Sequence, residues 1–258
     1  MKLKTAPSAI ISARVLFFYN ICLIWEMAYM INLDMQDLNR ATMKHLIKNI
    51  ETGMSLSEIR RICEKFMLDN GADSFWYWNI GAFVFAGDET TVSVSGKDYQ
   101  TSERIIGLND IITVDLSPQN NNIWGDYART IIIEDGKVID KIENIRNSEW
   151  KQGLQMEQYL HKLLIENAAP DMTFEELYYF INDVISNHGF LNLDFAGNLG
   201  HSIVEDKNDR IYTEKGNKAK LSEVKMFTFE PHISTPNSKY GYKLEDIYYF
   251  RKGKLEKL

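Results

Sequence analysis

Four carboxylates and one histidine stand where a strand-rich sequence would not be expected to put them. In "DIITVDLSPQNNNIWGDYARTIIIEDG", residues 110–136, Asp115 and Asp126 interrupt runs of β-branched and aromatic residues. Glu230 breaks the apolar pattern of "MFTFEPHI" just before Pro231, and Glu245 breaks that of "YGYKLEDIYYF". His201 lies in "GNLGHSIV", where Gly197 and Gly200 permit close backbone approach. A carboxylate in a half-buried strand is costly unless it is paired, hydrogen-bonded or bound to a metal. Each residue alone has a simpler reading. Asp115 could end its strand and cap the Ser117-Pro118 turn, and Asp126 could pair with Arg129. Glu230 and Glu245 could face solvent from edge strands, and His201 could be an ordinary satisfied polar residue. Taken together, four carboxylates and an imidazole form a donor set for two divalent cations. Two such ions about 3.5–4 Å apart need bridging carboxylates to offset their repulsion. An oxygen-rich set with one imidazole suits Mn²⁺, Co²⁺, Fe²⁺ or Zn²⁺.

The elements that must position these residues are legible in outline. From Asp34, apolar residues at Leu38, Met43, Leu46, Ile47 and Ile50 recur at helical spacing, and Gly53 ends the run. Ser55-Leu-Ser-Glu58 is a capping box opening a second helix with an apolar face of Ile59, Ile62, Cys63 and Phe66, stopped by Asn70-Gly71. Strands are expected over 74–80, 82–86, 111–116 and 124–134, the last following the Asn120-Asn121-Asn122 turn. Helices are expected over about 147–167, and from the capping box Thr173-Phe-Glu-Glu176 to His188-Gly189. Strands over 225–233 and 242–251, joined by a Pro-Asn-Ser turn, close the chain. No internal sequence repeat or linker interrupts this order. Helices grouped between runs of strands indicate an α+β domain with helices on one face of an antiparallel sheet.

The chain as a whole sets limits. Its 258 residues, 45% apolar and 25% charged, can bury a sizeable core. A net charge of −7 argues against nucleic-acid and anionic-membrane partners, which require clustered Lys and Arg. Two cysteines, Cys22 and Cys63, make no disulfide framework and fit a reducing, cytoplasmic setting. Residues 1–34 read as an N-terminal extension outside the core domain of residues 35–258. The apolar run from Val15 to Trp25 has the length of a signal-peptide core, which leaves export or anchoring as a minor alternative.

The order and wording of the five residues resemble the pita-bread metallopeptidases: methionine aminopeptidases, Xaa-Pro aminopeptidases, prolidases and their creatinase-like relatives. The resemblance runs from about Asp37 to the C-terminus. It is carried by "VDLSP…WGDYART", by His in a "GH" context, by "FEP" and by "LED", with "IETGMSLSEIRRICEKFM" matching the family's entry helices. It implies that Asp115 chelates one metal ion and Asp126 bridges two. His201 and Glu230 would bind the second ion, and Glu245 would bridge. Glu230 is then also the candidate general base for the attacking water. The family's Arg two residues before the last Glu is Lys243 here, a point charge in place of a planar fork.

The chain departs from the family around the substrate. The histidine that family members carry upstream of the first aspartate is missing from "SVSGKDYQTSER". A second one, downstream of the metal histidine, is missing from "HSIVEDKNDRIYTEKGN". His45, His161 and His188 lie on expected helices as surface or packing residues. His232, two residues after Glu230, could share its face and serve in proton transfer, or could cap the strand end. Tyr99 and Tyr212 are candidate substrate-binding hydrogen-bond donors. The expected function is metal-dependent hydrolysis of peptide bonds in short peptides, as in aminopeptidases or Xaa-Pro dipeptidases. The alternatives are a metal-retaining domain with a binding or regulatory role, and a hydrolase of a non-peptide C–N bond. The expected partner is a short peptide or small amide, with room for a homodimer.

Overall fold

The structure, a computed structural model, describes residues 34–258. The expectations for residues 1–33, including the Val15–Trp25 run, lie outside the described residues. Helix α1 covers 34–49 and α2 covers Leu56–Asp69; Ser55 and Glu58 close the capping box reciprocally. Short strand β1 (Ser74–Phe75) precedes β2 (Ala82–Ala86) and the long β3 (Asp110–Leu116). Then come β4 (Pro118–Asn120), β5 (Ile123–Trp124), β6 (Tyr127–Glu134) and β7 (Lys137–Val138). Helices α3 (Ser148–Asn167) and α4 (Phe174–Asn187) follow, the latter opened by the Thr173–Glu176 capping box. The remainder holds β8 (Leu191–Asn192), β9 (Ser202–Ile203), β10 (Met226–Phe229), β11 (His232–Ser234), β12 (Tyr242–Lys243), β13 (Asp246–Arg251) and β14 (Lys254–Lys257).

The elements make two halves of the same plan. In the first, α1 and α2 cover the antiparallel sheet β2-β3-β6-β7. In the second, α3 and α4 pack on the sheet β9-β10-β13-β14 and on a smaller one, β8-β11-β12. Strands β3 and β6 serve both cores. Ile112, Val114, Ile131 and Ile133 face the first, whereas Ile111 and Ile132 face the second. That two-sided burial explains their near-continuous apolar sequence. The halves are sewn together where β6 meets the segment between β12 and β13. Glu245 donates its N–H to the Ala128 carbonyl, and Thr130 Oγ1 accepts from the Lys243 N–H. Arg129 donates to the carbonyls of Ala128 and Glu245 and pairs with Asp246 at 2.8 Å. Arg129 is therefore engaged with Asp246 and two carbonyls, away from the Asp126 carboxylate that one sequence reading gave it.

Four expected strands are shorter than their sequence pattern. The run 74–80 keeps β structure only at its start, because Trp78 and Asn79 take left-handed backbone conformations that turn the chain. The other three, 124–134, 225–233 and 242–251, are each split in two. The gaps fall at Gly125-Asp126, Glu230-Pro231 and Leu244-Glu245, so each interruption carries one of the out-of-place acids. Among the described residues no helix is long and apolar enough to cross a membrane.

His161 is buried on α3. Its ring links Tyr248 Oη, 2.7 Å from Nδ1, to the Leu244 carbonyl, 2.9 Å from Nε2. Burial pulls its pKa down to about 4 from an ordinary 6.5. Below pH 6.5 the unfolded chain takes up a proton that the folded chain refuses until about pH 4, so stability falls across that window and levels off beneath it. At 1.36 kcal/mol per pKa unit, the loss is about 3 kcal/mol. His161→Gln, whose amide can also bridge a hydroxyl and a carbonyl, is expected to flatten the fall. Denaturant midpoints at pH 7 and 4.5 for both proteins test this. An equal acid loss in the variant would assign the sensitivity to other groups.

Candidate metal centre

The three strand breaks and β3 deliver their acids to one place. Carboxylate oxygens of Asp115, Asp126 and Glu245 all lie within 4.8 Å of one another. His201 Nε2 stands 3.4 Å from Asp126 Oδ2 and 3.8 Å from Glu230 Oε1. The five residues named from the sequence as metal ligands thus converge, although they span residues 115 to 245. The edge-strand and turn-cap readings do not describe them. Asp126, His201 and Glu245 are buried, and only Asp115 and Glu230 are partly open to the cavity.

Two glycines make the convergence possible. A side chain on Gly125 would strike Asn39 Nδ2 at 2.7 Å and Gln36 Oε1 at 2.9 Å. Its absence lets α1 press Gln36 against the Asp126 backbone, where Gln36 Nε2 donates to the Asp126 carbonyl at 2.8 Å and Gln36 Oε1 accepts from the Asp126 N–H at 3.1 Å. Gly200, at φ +136°, lies against the Thr228 carbonyl, where no side chain fits. That contact seats His201 on β10: its N–H donates to Thr228 Oγ1, and that hydroxyl also donates to Glu230 Oε1. His201 Nδ1 sits 3.1 Å from the Ser202 carbonyl, which leaves Nε2 as the nitrogen presented to the carboxylates.

Lys243 is the cation of the cluster. Its Nζ lies 2.6 Å from Asp115, 2.9 Å from Glu230 and 3.6 Å from Glu245. Burial opposes its charge, yet the three carboxylates hold it well above the usual lysine range. The acids divide accordingly. Burial raises Glu230, but Lys243 and His201 more than offset it and hold it below the ordinary value. Burial raises Asp115 and pushes Asp126 up to about 6. Glu245 is raised well above its ordinary range by burial, then by Asp126 and Glu230. Both Glu245 oxygens lack a hydrogen-bond partner among the described residues. A buried, unsatisfied carboxylate amid other carboxylates, with an imidazole nitrogen facing them, fits divalent cations held by Asp115, Asp126, His201, Glu230 and Glu245.

Around the cluster a cavity is walled by Trp76, Tyr77, Phe83, Phe85 and Phe195. Tyr212 lines it, and its backbone bridges to that of His201. His232 lines it too, although β10 ends before Glu230 and β11 begins a different sheet, so the two share the cavity without sharing a strand face. His232 Nε2 is 2.7 Å from the Thr90 carbonyl, and burial lowers its pKa to about 4. Tyr99 does not line this cavity. Its hydroxyl is bound to the Val84 backbone and Thr101, and its ring supports Phe83 and Phe85 from behind, so the substrate-binding expectation for Tyr99 is corrected to a packing role.

Sequence reasoning missed Gln36, Glu157 and the full reach of Lys243. Glu157 is buried on α3, where among the described residues neither oxygen has a hydrogen-bond partner within normal geometry, beside Leu160, Leu164 and His161 on the covered face. Its place one residue after Met156 in the apolar stripe was the available signal.

The model of metallopeptidase family M24 matches residues 34–252. The chain is 24% identical over 202 residues to the Xaa-Pro dipeptidase of Pyrococcus furiosus, covering 78% of this chain and 52% of that protein. It is 28% identical over 138 residues to the Xaa-Pro dipeptidase of Lactobacillus helveticus, covering 54% of this chain and 34% of the other. The chain therefore spans about half and about a third of those relatives. Against methionine aminopeptidase 1 of Bacillus subtilis the identity is 26% over 211 residues, covering 80% and 78%. Among solved structures, the prolidase of Pyrococcus furiosus superposes with a TM-score of 0.73 at 19% identity, over 90% of this chain and 63% of that one. The methionine aminopeptidase of Rickettsia prowazekii gives a TM-score of 0.67 at 16% identity, over 90% and 96%. The fold is the pita-bread fold of these enzymes, and with its family match running through nearly all of the described residues, the chain belongs to metallopeptidase family M24.

Proposed function

We propose that the chain hydrolyses peptide bonds in short peptides, using divalent cations held by Asp115, Asp126, His201, Glu230 and Glu245. The observation that carries this reading is the convergence of four carboxylates and one imidazole in an aromatic-walled cavity, with both Glu245 oxygens unsatisfied. Cations bound there supply Lewis acidity, polarising a peptide carbonyl and acidifying water. The chain's own groups do the rest. Glu230, kept ionised by Lys243 and His201, accepts the proton of the attacking water. His232, fixed through Nε2 on the Thr90 carbonyl, and Tyr212 are cavity-lining polar groups placed to assist proton delivery to the leaving amine. The aromatic wall excludes water and grips the side chains flanking the scissile bond. Two ions, with manganese among the suitable metals, fit the charge of the set.

A second reading, a metal-retaining binding domain, draws support from Lys243, whose ammonium already neutralises part of the cluster. Metal analysis of the purified protein, followed by a panel of dipeptides and aminoacyl amides with added Mn²⁺, Co²⁺ or Fe²⁺, separates the two. Turnover that disappears with chelator and returns with metal is expected. Stoichiometric metal without turnover on any member would favour the binding domain.

A further inference from the structure

We propose that His161, on α3 and outside the metal cavity, is a positioning residue that aims the Glu245 carboxylate at the cations; this deepens the proposed function and rests on its set of metal ligands. Asp115, Glu230 and His201 are each tied down through their side chains, to Lys243, to Thr228 and Lys243, and to the Ser202 carbonyl. Glu245 is not. Among the described residues neither of its oxygens has a hydrogen-bond partner, and Lys243 Nζ stands 3.6 Å away. The direction of this side chain is therefore inherited from its backbone.

That backbone is pinned on both sides of the Glu245 Cα. The peptide joining Leu244 to Glu245 is a rigid plane. At one edge its carbonyl accepts from His161 Nε2 at 2.9 Å, and at the other its N–H donates to the Ala128 carbonyl at 3.0 Å. The next peptide is held through the Glu245 carbonyl, which accepts from Arg129 Nη1 at 2.7 Å. A residue has only two soft backbone dihedrals, so fixing the planes before and after Glu245 fixes both, and with them the Cα–Cβ direction. Two of these three anchors come from β6 in the first half of the fold, and His161 brings the third from the second half. Held by β6 alone, the first plane could turn about its N–H; His161 stops that turn. The imidazole is itself held for this task. A carbonyl only accepts, so Nε2 carries the ring proton, and Nδ1 of the neutral ring accepts from the Tyr248 hydroxyl at 2.7 Å. Tyr248 thereby sets the tautomer and the tilt of the ring. Phe229, the residue before the ligand Glu230, meets the imidazole edge to face at a centroid separation of 4.9 Å.

Calorimetric titration of the full chain with Mn²⁺ at pH 7 tests this, with wild type, His161→Phe, His161→Gln, Tyr248→Phe and Leu160→Val compared after melting curves in EDTA show each to be folded. His161→Phe keeps an aromatic ring and removes both nitrogens. It should bind Mn²⁺ about 10- to 100-fold more weakly, the usual cost of removing a group that orients a metal ligand. His161→Gln, whose amide can donate to the carbonyl and accept from the hydroxyl, should recover most of that affinity. Tyr248→Phe, which frees the ring to tilt, should show an intermediate loss. Leu160→Val trims the buried face of the same helix without removing a hydrogen bond, so it should lower Tm and leave Mn²⁺ affinity unchanged. Wild-type affinity in His161→Phe would overturn the proposal. So would a loss in Leu160→Val as large as that in His161→Phe, which would assign the effect to the stability of α3, or an equal loss in His161→Phe and His161→Gln, which would assign it to packing. Should His161→Phe fail to fold, Tyr248→Phe decides, and an unchanged affinity there sinks the idea. A wild type that takes up no Mn²⁺ would refute the metal reading and this proposal with it, whereas uptake that His161→Phe leaves unmoved would refute His161 alone.

Discussion

Replacing Lys243 with methionine is expected to destabilise the metal-free chain by about 3–5 kcal/mol, the usual cost of stripping the partner from buried charges. At this chain length that is roughly 10 °C in Tm. The Lys243 side chain is 16% exposed and its Nζ lies within 4 Å of Asp115, Glu230 and Glu245. Methionine keeps the length and apolar stem but removes the one positive charge that, among the described residues, lies close to all three. The same change should raise affinity for Mn²⁺. Unit charges 4 Å apart interact by about 4 kcal/mol at an effective dielectric of 20, and a divalent ion entering beside the ammonium meets repulsion of that order. Relief of even a third of it is about tenfold in affinity. The variant should therefore melt far below wild type in chelator and recover most of the difference in saturating Mn²⁺, because an ion that binds only the folded state stabilises it. Melting curves with EDTA and with Mn²⁺ decide the matter. Equal metal-induced shifts in the two proteins would mean that Lys243 is a peripheral charge and not the resident counter-ion of the cluster.

That position for Lys243 was only half visible in the sequence. Its spacing before Glu245 marked it as a neighbour of the site, but strand periodicity cannot say that one ammonium reaches three acids from three different elements. The elements themselves were largely legible, because their signals are local. The capping boxes at Ser55 and Thr173 close as read, and the strand character of β3 follows from its own run of β-branched residues. The breaks at Asp126, Glu230 and Glu245 were not, since each interruption is accompanied by tertiary contacts: Gln36 on the Asp126 backbone, the Glu230 N–H on the Leu199 carbonyl, and Arg129 on the Glu245 carbonyl. The acids could nevertheless be picked out, because a carboxylate in an apolar strand pattern violates a local rule, and such violations gather at functional sites. Gln36 breaks no rule at the start of a helix, and so it gave no sign. The matching plans of the two halves were hidden for a related reason: a helix pair over an antiparallel sheet needs only pattern, which different residues can supply.

The opposite substitution, Glu245→Gln, is expected to stabilise the metal-free chain while abolishing metal binding. Glu245 is 1% exposed, neither oxygen has a hydrogen-bond partner among the described residues, and Asp126 and Glu230 add like charge. Holding an unsatisfied buried group of this kind costs about 1–3 kcal/mol. The amide is isosteric, uncharged and able to donate to a neighbouring carboxylate, so a gain of about 1 kcal/mol or more, some 2–4 °C in Tm, should follow. The pH dependence has a definite sign. The folded chain holds this proton above the ordinary value of 4.5, at which the unfolded chain releases it, so wild type loses stability as pH rises through and beyond 4.5. The advantage of Glu245→Gln should therefore be present near neutral pH and vanish near pH 4. Metal binding moves the other way, because an amide oxygen carries no charge to offset the repulsion between cations and bridges them poorly. Calorimetric titration with Mn²⁺ should show at least a hundredfold loss, and hydrolytic activity should go with it. A purely structural Glu245 would give a destabilised variant with normal metal affinity, the reverse on both counts. A site built for cations is the arrangement in which removing one carboxylate makes the protein more stable and less able to bind.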